Sequence, residues 1–145
     1  MKRRYKITTI VMLALLAGGC CLYLFYYETF PMDMSARKTD VRISSDRLAD
    51  SFDADEIEAN AQFVEKTIEV VGSVKKITQV NDRYTVLLQG QDGLSNVICD
   101  ILPSSIGEAK ALRPGQTVRL KGICKGYLMD VILLNCILIN DRTDG

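Results

Sequence analysis

The chain has 145 residues and 18 basic against 18 acidic side chains, with no histidine and no tryptophan. Without histidine it lacks the commonest metal ligand and the commonest acid–base group at neutral pH, and its five cysteines contain no CxxC pair. No metal, cofactor or catalytic group is therefore expected, because no spacing of the remaining Asp, Glu, Lys and Ser picks out a nucleophile and its base.

The zero net charge hides an asymmetry. Residues 1–27 hold Lys2, Arg3, Arg4 and Lys6 and no acid, a charge of +4, so the remainder of the neutral chain carries −4. Residues 1–6 read as a basic cytoplasmic tail and residues 7–27 as one transmembrane signal anchor. Uncharged residues from Ile7 to Tyr27 make a helix of about 31 Å, against a hydrocarbon core of about 30 Å. The basic cluster before it and Glu28 after it place the N-terminus inside and export the C-terminal domain across the cytoplasmic membrane. Tyr23, Tyr26 and Tyr27 stand at the outer end, where amphipathic rings suit the headgroup region. A lipoprotein is the alternative, with Ala17-Gly18-Gly19-Cys20 as a processing site and Cys20 lipidated. Against it, Ala17 stands where such sites usually have Leu, and Leu22–Tyr27 prolongs the apolar run where a polar tether is usual.

Residues 28–44 mix charges with Pro31 and show no period, so they read as a linker, with one soluble domain at 45–145. Leu48, Phe52, Ala59 and Phe63 fall near one helical face, with Ser45 as a candidate N-cap and Asp50, Asp53, Asp55, Glu56 and Glu58 on the solvated side. From Thr67 the period becomes two. Strands are expected at Thr67–Ile77, Tyr84–Gln89, Ser95–Ile101, Thr117–Cys124 and Val131–Ile139. Turns fall at Asn81-Asp82, at the GQDG of residues 90–93 and at Gly126, and a short helix at Pro103–Leu112. The fold class is mainly β: a five-stranded OB-fold barrel with an N-terminal helix and a helix between strands three and four, preceded by one transmembrane helix.

Several segments now carry a resemblance. Ala59-Asn60, Lys66-x-Ile68-Glu69-Val70-x-Gly72-x-Val74, Gly115-Gln116-x-Val118, Lys121-Gly122-x-Cys124-x-Gly126 and Asp130-Val131-x-Leu133-x-Asn135-Cys136 resemble the tRNA_anti-like OB-fold family over about residues 48–139. The resemblance implies a bacterial, exported or membrane-attached OB domain. It carries over no catalytic residues and does not by itself imply tRNA binding.

Alternation points Val97, Cys99 and Ile101 inward, with Val118, Leu120 and Cys124. If Asn135 faces out, Ile132, Leu134, Cys136 and Leu138 also point inward. A turn at Tyr127-Leu128 would set Cys124 opposite Val131, about 17 Å from Cys136 and too far to bridge. In an OB barrel, strands three and five are parallel neighbours. Cys99 and Cys136 therefore form the candidate disulfide, leaving Cys124 free, with three buried free thiols as the alternative.

OB barrels bind single-stranded nucleic acid with a basic groove and stacked aromatics. From Asp46 onward there are 11 basic and 15 acidic residues and four aromatics, of which Phe52 and Phe63 are expected in the core. If nucleic acid binds, the candidate basic surface is Lys75, Lys76, Arg83, Arg119, Lys121 and Lys125. The acidic balance and exported location argue instead for a membrane-anchored binding module of the cell envelope. Its partner would be a protein, peptide or small ligand, with single-stranded nucleic-acid binding as the alternative.

Overall fold

The computed structural model of the chain describes residues 1–29, 33–91 and 94–140. Pro31 and the rest of residues 30–32, and Asp92-Gly93 of the expected GQDG turn, lie outside the described residues. The chain divides into two compact units, one ending at Asp33 and the other beginning at Met34.

The first unit contains the helix α1 (Lys2–Thr29), which already begins within the basic tail. Its stretch to Tyr27 has a mean hydropathy of 2.2 and buries nothing against the chain, so it is long and apolar enough to cross a membrane. A membrane anchor and a signal sequence both meet that description.

The second unit contains β1 (Val41–Ser44), α2 (Ser45–Ala54), α3 (Glu56–Phe63), β2 (Thr67–Val80), β3 (Arg83–Leu88), β4 (Val97–Ile101), α4 (Ile106–Ala109), β5 (Thr117–Leu128) and β6 (Asp130–Leu138). Five strands close in the order β2-β3-β4-β6-β5, with β5 returning to β2, and β4 and β6 run parallel. This is the closed barrel of an OB-fold. A short 3-10 turn at Pro103–Ser105 leads into α4, in the place expected for the helix between strands three and four.

The barrel interior holds the main cluster of the core. Ile68, Val70, Val86, Leu88, Val97, Cys99, Leu120, Cys124, Val131, Leu133 and Cys136 are fully buried inside the barrel, and Leu48, Phe52 and Phe63 join them from the helices. Burying each such side chain contributes about 1.5–3 kcal/mol.

Five expectations are corrected. Residues 28–44 are not all linker, because Val41–Ser44 pair in parallel with Ile68–Val71 as β1 and the compact unit starts at Met34. The expected helix is two. Asp55 leaves helical geometry at φ −154°, and its carboxylate accepts from Glu58 N–H at 3.0 Å to cap α3. Ser44 is the N-cap of α2, which frees the Ser45 hydroxyl to donate to the Gln89 carbonyl at 2.6 Å.

The fourth correction concerns β6. Its inward residues are Val131, Leu133 and Cys136, while Ile132 and Leu134 face out. Asn135 sits at φ +57° in a bulge that inserts one residue, so the alternation changes phase there. The turn between β5 and β6 also lies later than expected, at Met129 (φ +63°), and places Cys124 opposite Leu133.

Candidate interaction face

Neighbouring strands place side chains of equal register side by side, so the outer face of the barrel can be read from the pairing. Leu87 pairs with Ile98, and Ile98 with Ile132, giving an aliphatic row across β3, β4 and β6. All three are half-buried, as is Leu134 farther along β6. An open groove of about 390 Å³ runs along this face, lined by Val80, Arg83, Thr85, Ile98, Asp100 and Leu134. The turns at its two ends add exposed aliphatic side chains. Val80, beside the β2–β3 turn, is 61% exposed, and Leu128 and Met129, at the β5–β6 turn, are 77% and 82% exposed. OB barrels bind ligands with these same strands and turns.

Charges at the two ends of the row are already paired. Arg83 donates to Asp100 at 2.6 Å. At the other end Lys75 donates to the Asn96 amide oxygen at 3.3 Å, while Asn96 N–H and Nδ2 donate to Asp130 at 2.7 and 3.2 Å.

The aromatic rings are engaged elsewhere. Phe52 and Phe63 are buried and lie 5.9 Å apart, and Tyr84 is buried in the barrel. Tyr127 stacks on Phe52 at 5.6 Å, and its hydroxyl donates to Asp53 at 2.5 Å. Ser95 Oγ donates to the other Asp53 oxygen, so α2 is tied to the start of β4 and the end of β5. The Asp53 bond holds the Tyr127 hydroxyl above its ordinary pKa, with burial adding to the same effect.

The six candidate basic residues do not converge. Arg83 faces Asp100, Arg119 faces Glu69 at 3.5 Å, and Lys125 faces Glu65 at 3.0 Å. Lys121 is buried and donates to the Arg37 carbonyl, while Lys75 and Lys76 are exposed on β2. Cys99 and Cys136, the candidate disulfide, are free thiols in contact within the core, and Cys124 is a free buried thiol. The Asn135 bulge puts Cys136 in register with Ile101, and Leu133 in register with Cys99. Cys20, the candidate lipidation site, lies within α1. Among the described residues no group of three or more His, Cys, Asp or Glu is placed to hold a metal.

Alternation along β6 hides the aliphatic face, because an unbroken period counts Ile132 and Leu134 as inward. The signal that could have exposed it is Asn135 itself, a residue that tolerates left-handed backbone.

The closed barrel with its intervening helix and its strand-and-turn face defines an OB-fold protein. The chain belongs to the tRNA_anti-like family, whose model matches residues 1–138 and so takes in α1 as well as the barrel. Among solved structures, it resembles a lipoprotein of Klebsiella pneumoniae subsp. pneumoniae to which nucleic-acid binding is provisionally ascribed. That match has a TM-score of 0.57 at 14% identity, covering 77% of this chain and all of that one. It also matches asparaginyl-tRNA synthetase from Pyrococcus horikoshii with a TM-score of 0.43 at 17% identity, over 55% of this chain and 20% of that one. At these identities the likeness is one of fold. No curated protein matches the chain.

Proposed function

We propose that the protein is a membrane-anchored OB-fold interaction module of the bacterial cell envelope, docking a protein or peptide on the outer face of β3, β4 and β6. The single observation that carries this reading is the composition of that face. It offers Leu87, Ile98, Ile132 and Leu134, while all four rings of the barrel domain are buried or stacked within it. Nucleobases stack on exposed rings and phosphates need unpaired positive charge, whereas an aliphatic row suits apolar side chains of a partner. Lys2, Arg3, Arg4 and Lys6 at the N-terminal end of α1 support an orientation with the barrel exported. A catalytic role forms no part of this reading.

The test is site-specific photocrosslinking in intact envelopes, with a photoreactive residue in place of Thr85 on the full chain. A protein adduct that Ile98→Glu abolishes, with the barrel still folded, is the expected result. The competing reading is nucleic-acid binding, favoured by the Klebsiella lipoprotein's description. Salt-sensitive binding of the full chain to a random oligonucleotide pool at micromolar concentration or tighter would establish it and overturn the proposal.

A further inference from the structure

Residues 34–40 precede β1 and were expected to be linker, yet they lie against the outer face of β2, β5 and β6, away from the aliphatic row. Met34 is 1% exposed and fills an apolar site made by Ile123 and Ile137, with Leu102 and Ile139 at its edge. Lys121, itself buried, donates from Nζ to the Arg37 carbonyl. Thr39 Oγ1 donates to Glu69 at 3.4 Å, and the same carboxylate takes Arg42 Nε at 3.3 Å. Asp40 closes the segment with two bonds of 2.9 Å: its N–H donates to the Thr67 carbonyl, and its carboxylate accepts from Thr67 N–H.

These contacts have the form of peptide recognition. An apolar pocket takes one long side chain, a buried ammonium takes a main-chain carbonyl, and a strand-like pair of bonds fixes the far end. We infer that this face is a peptide-binding groove and that Met34–Asp40 is its self-supplied ligand, a displaceable strap. The groove takes a peptide that turns at its start and carries a long unbranched apolar side chain six residues ahead of an acid, as Met34 stands to Asp40.

Two features make the strap displaceable rather than part of the core. Its apolar hold is Met34 alone, packed in a cluster separate from the barrel interior. Beneath it Thr67 Oγ1 is buried without a hydrogen-bond partner among the described residues, so the fit of strap to groove is incomplete.

The experiment uses the full chain in detergent micelles and a fluorescent peptide of residues 33–40. In the wild type the tethered strap holds the groove at high effective concentration and excludes the peptide. In Met34→Glu the strap is expelled, and the peptide binds at least tenfold more tightly than to wild type, while a peptide with the same Met→Glu change does not bind. Hydrogen exchange supplies the second readout. In Met34→Glu the amides of residues 34–40 exchange at least tenfold faster, while those of Val86 and Val97 keep their protection; Met34→Leu behaves as wild type. Equal peptide binding to wild type and Met34→Glu, or none to either, would overturn the inference. So would loss of protection at Val86 and Val97, since the segment would then be part of the core.

Discussion

Gly122 on β5 and Cys136 on β6 share one space. A Cβ at residue 122 would fall on Cys136 Sγ closer than any real contact, and would also meet the Leu134 carbonyl oxygen at 3.0 Å. The Asn135 bulge causes this, because it leans Cys136 over the strand opposite. Gly122→Ala is therefore expected to destabilise the barrel by about 1–3 kcal/mol through overpacking. Replacing Cys136 by Ala in the same chain removes Sγ and should recover part of that loss, giving a coupling of about 0.5–3 kcal/mol in a double-mutant cycle. Chemical denaturation of the four proteins measures it, and strictly additive effects would refute the shared space.

The three barrel thiols test the redox state of the core. Cys99, Cys124 and Cys136 are fully buried, and burial pushes the thiols of Cys124 and Cys136 up from their ordinary range. The thiolate is the reactive form, so a raised pKa keeps these groups protonated and inert as pH rises toward 9. Folded protein at pH 8 should leave all three unlabelled by an alkylating reagent. Unfolded without reductant, all three should label within minutes. Labelling of Cys124 alone would instead establish a Cys99–Cys136 bridge in the protein as isolated.

How far the fold is legible in the sequence depends on whether alternation runs unbroken. On β4 the period of two is intact, so alternation alone assigns Val97, Cys99 and Ile101 inward, and all three are buried. The same holds for Val118, Leu120 and Cys124 on β5. On β6 the bulge at Asn135 inserts a residue, so the same alternation puts every residue N-terminal to it on the wrong face. That single slip hides the aliphatic row. The strap is hidden for another reason: one methionine and a set of main-chain and side-chain polar contacts leave no periodic mark.

Tyr127 gives a pH prediction with a definite sign. Its neutral hydroxyl donates to Asp53, which raises its folded-state pKa above the ordinary value of 10.0. The stabilisation is therefore complete below pH 10 and lost as pH rises through the folded value. Tyr127→Phe lacks the bond at every pH, so the gap in melting temperature between wild type and variant should hold up to about pH 10 and narrow above it. Because Tyr127 is only half-buried, the gap will be small, within the range of a surface hydrogen bond. A gap that widens with pH would rule out the Asp53 bond as its source.

Asn135 is the residue on which the phase of β6 turns. At φ +57° it occupies left-handed backbone, where a Cβ costs an ordinary residue about 1–2 kcal/mol and glycine nothing. Asn tolerates the region better than most, so Asn135→Gly should change stability by less than about 0.5 kcal/mol. A β-branched side chain fits it worst, and Asn135→Val should cost about 1–3 kcal/mol. If the strain were relieved by straightening the strand, the inserted residue would have to be absorbed and one part of β6 would reverse its faces. Leu133 or Cys136 would then leave the core. That outcome is costlier than the strain, so the bulge should persist in Asn135→Val with Cys136 still buried. Chemical denaturation gives the energy, and alkylation of Cys136 in the folded variant reads the phase. Rapid labelling of Cys136 would mean that the bulge had been lost and that Asn135 alone had held the two halves of β6 in register.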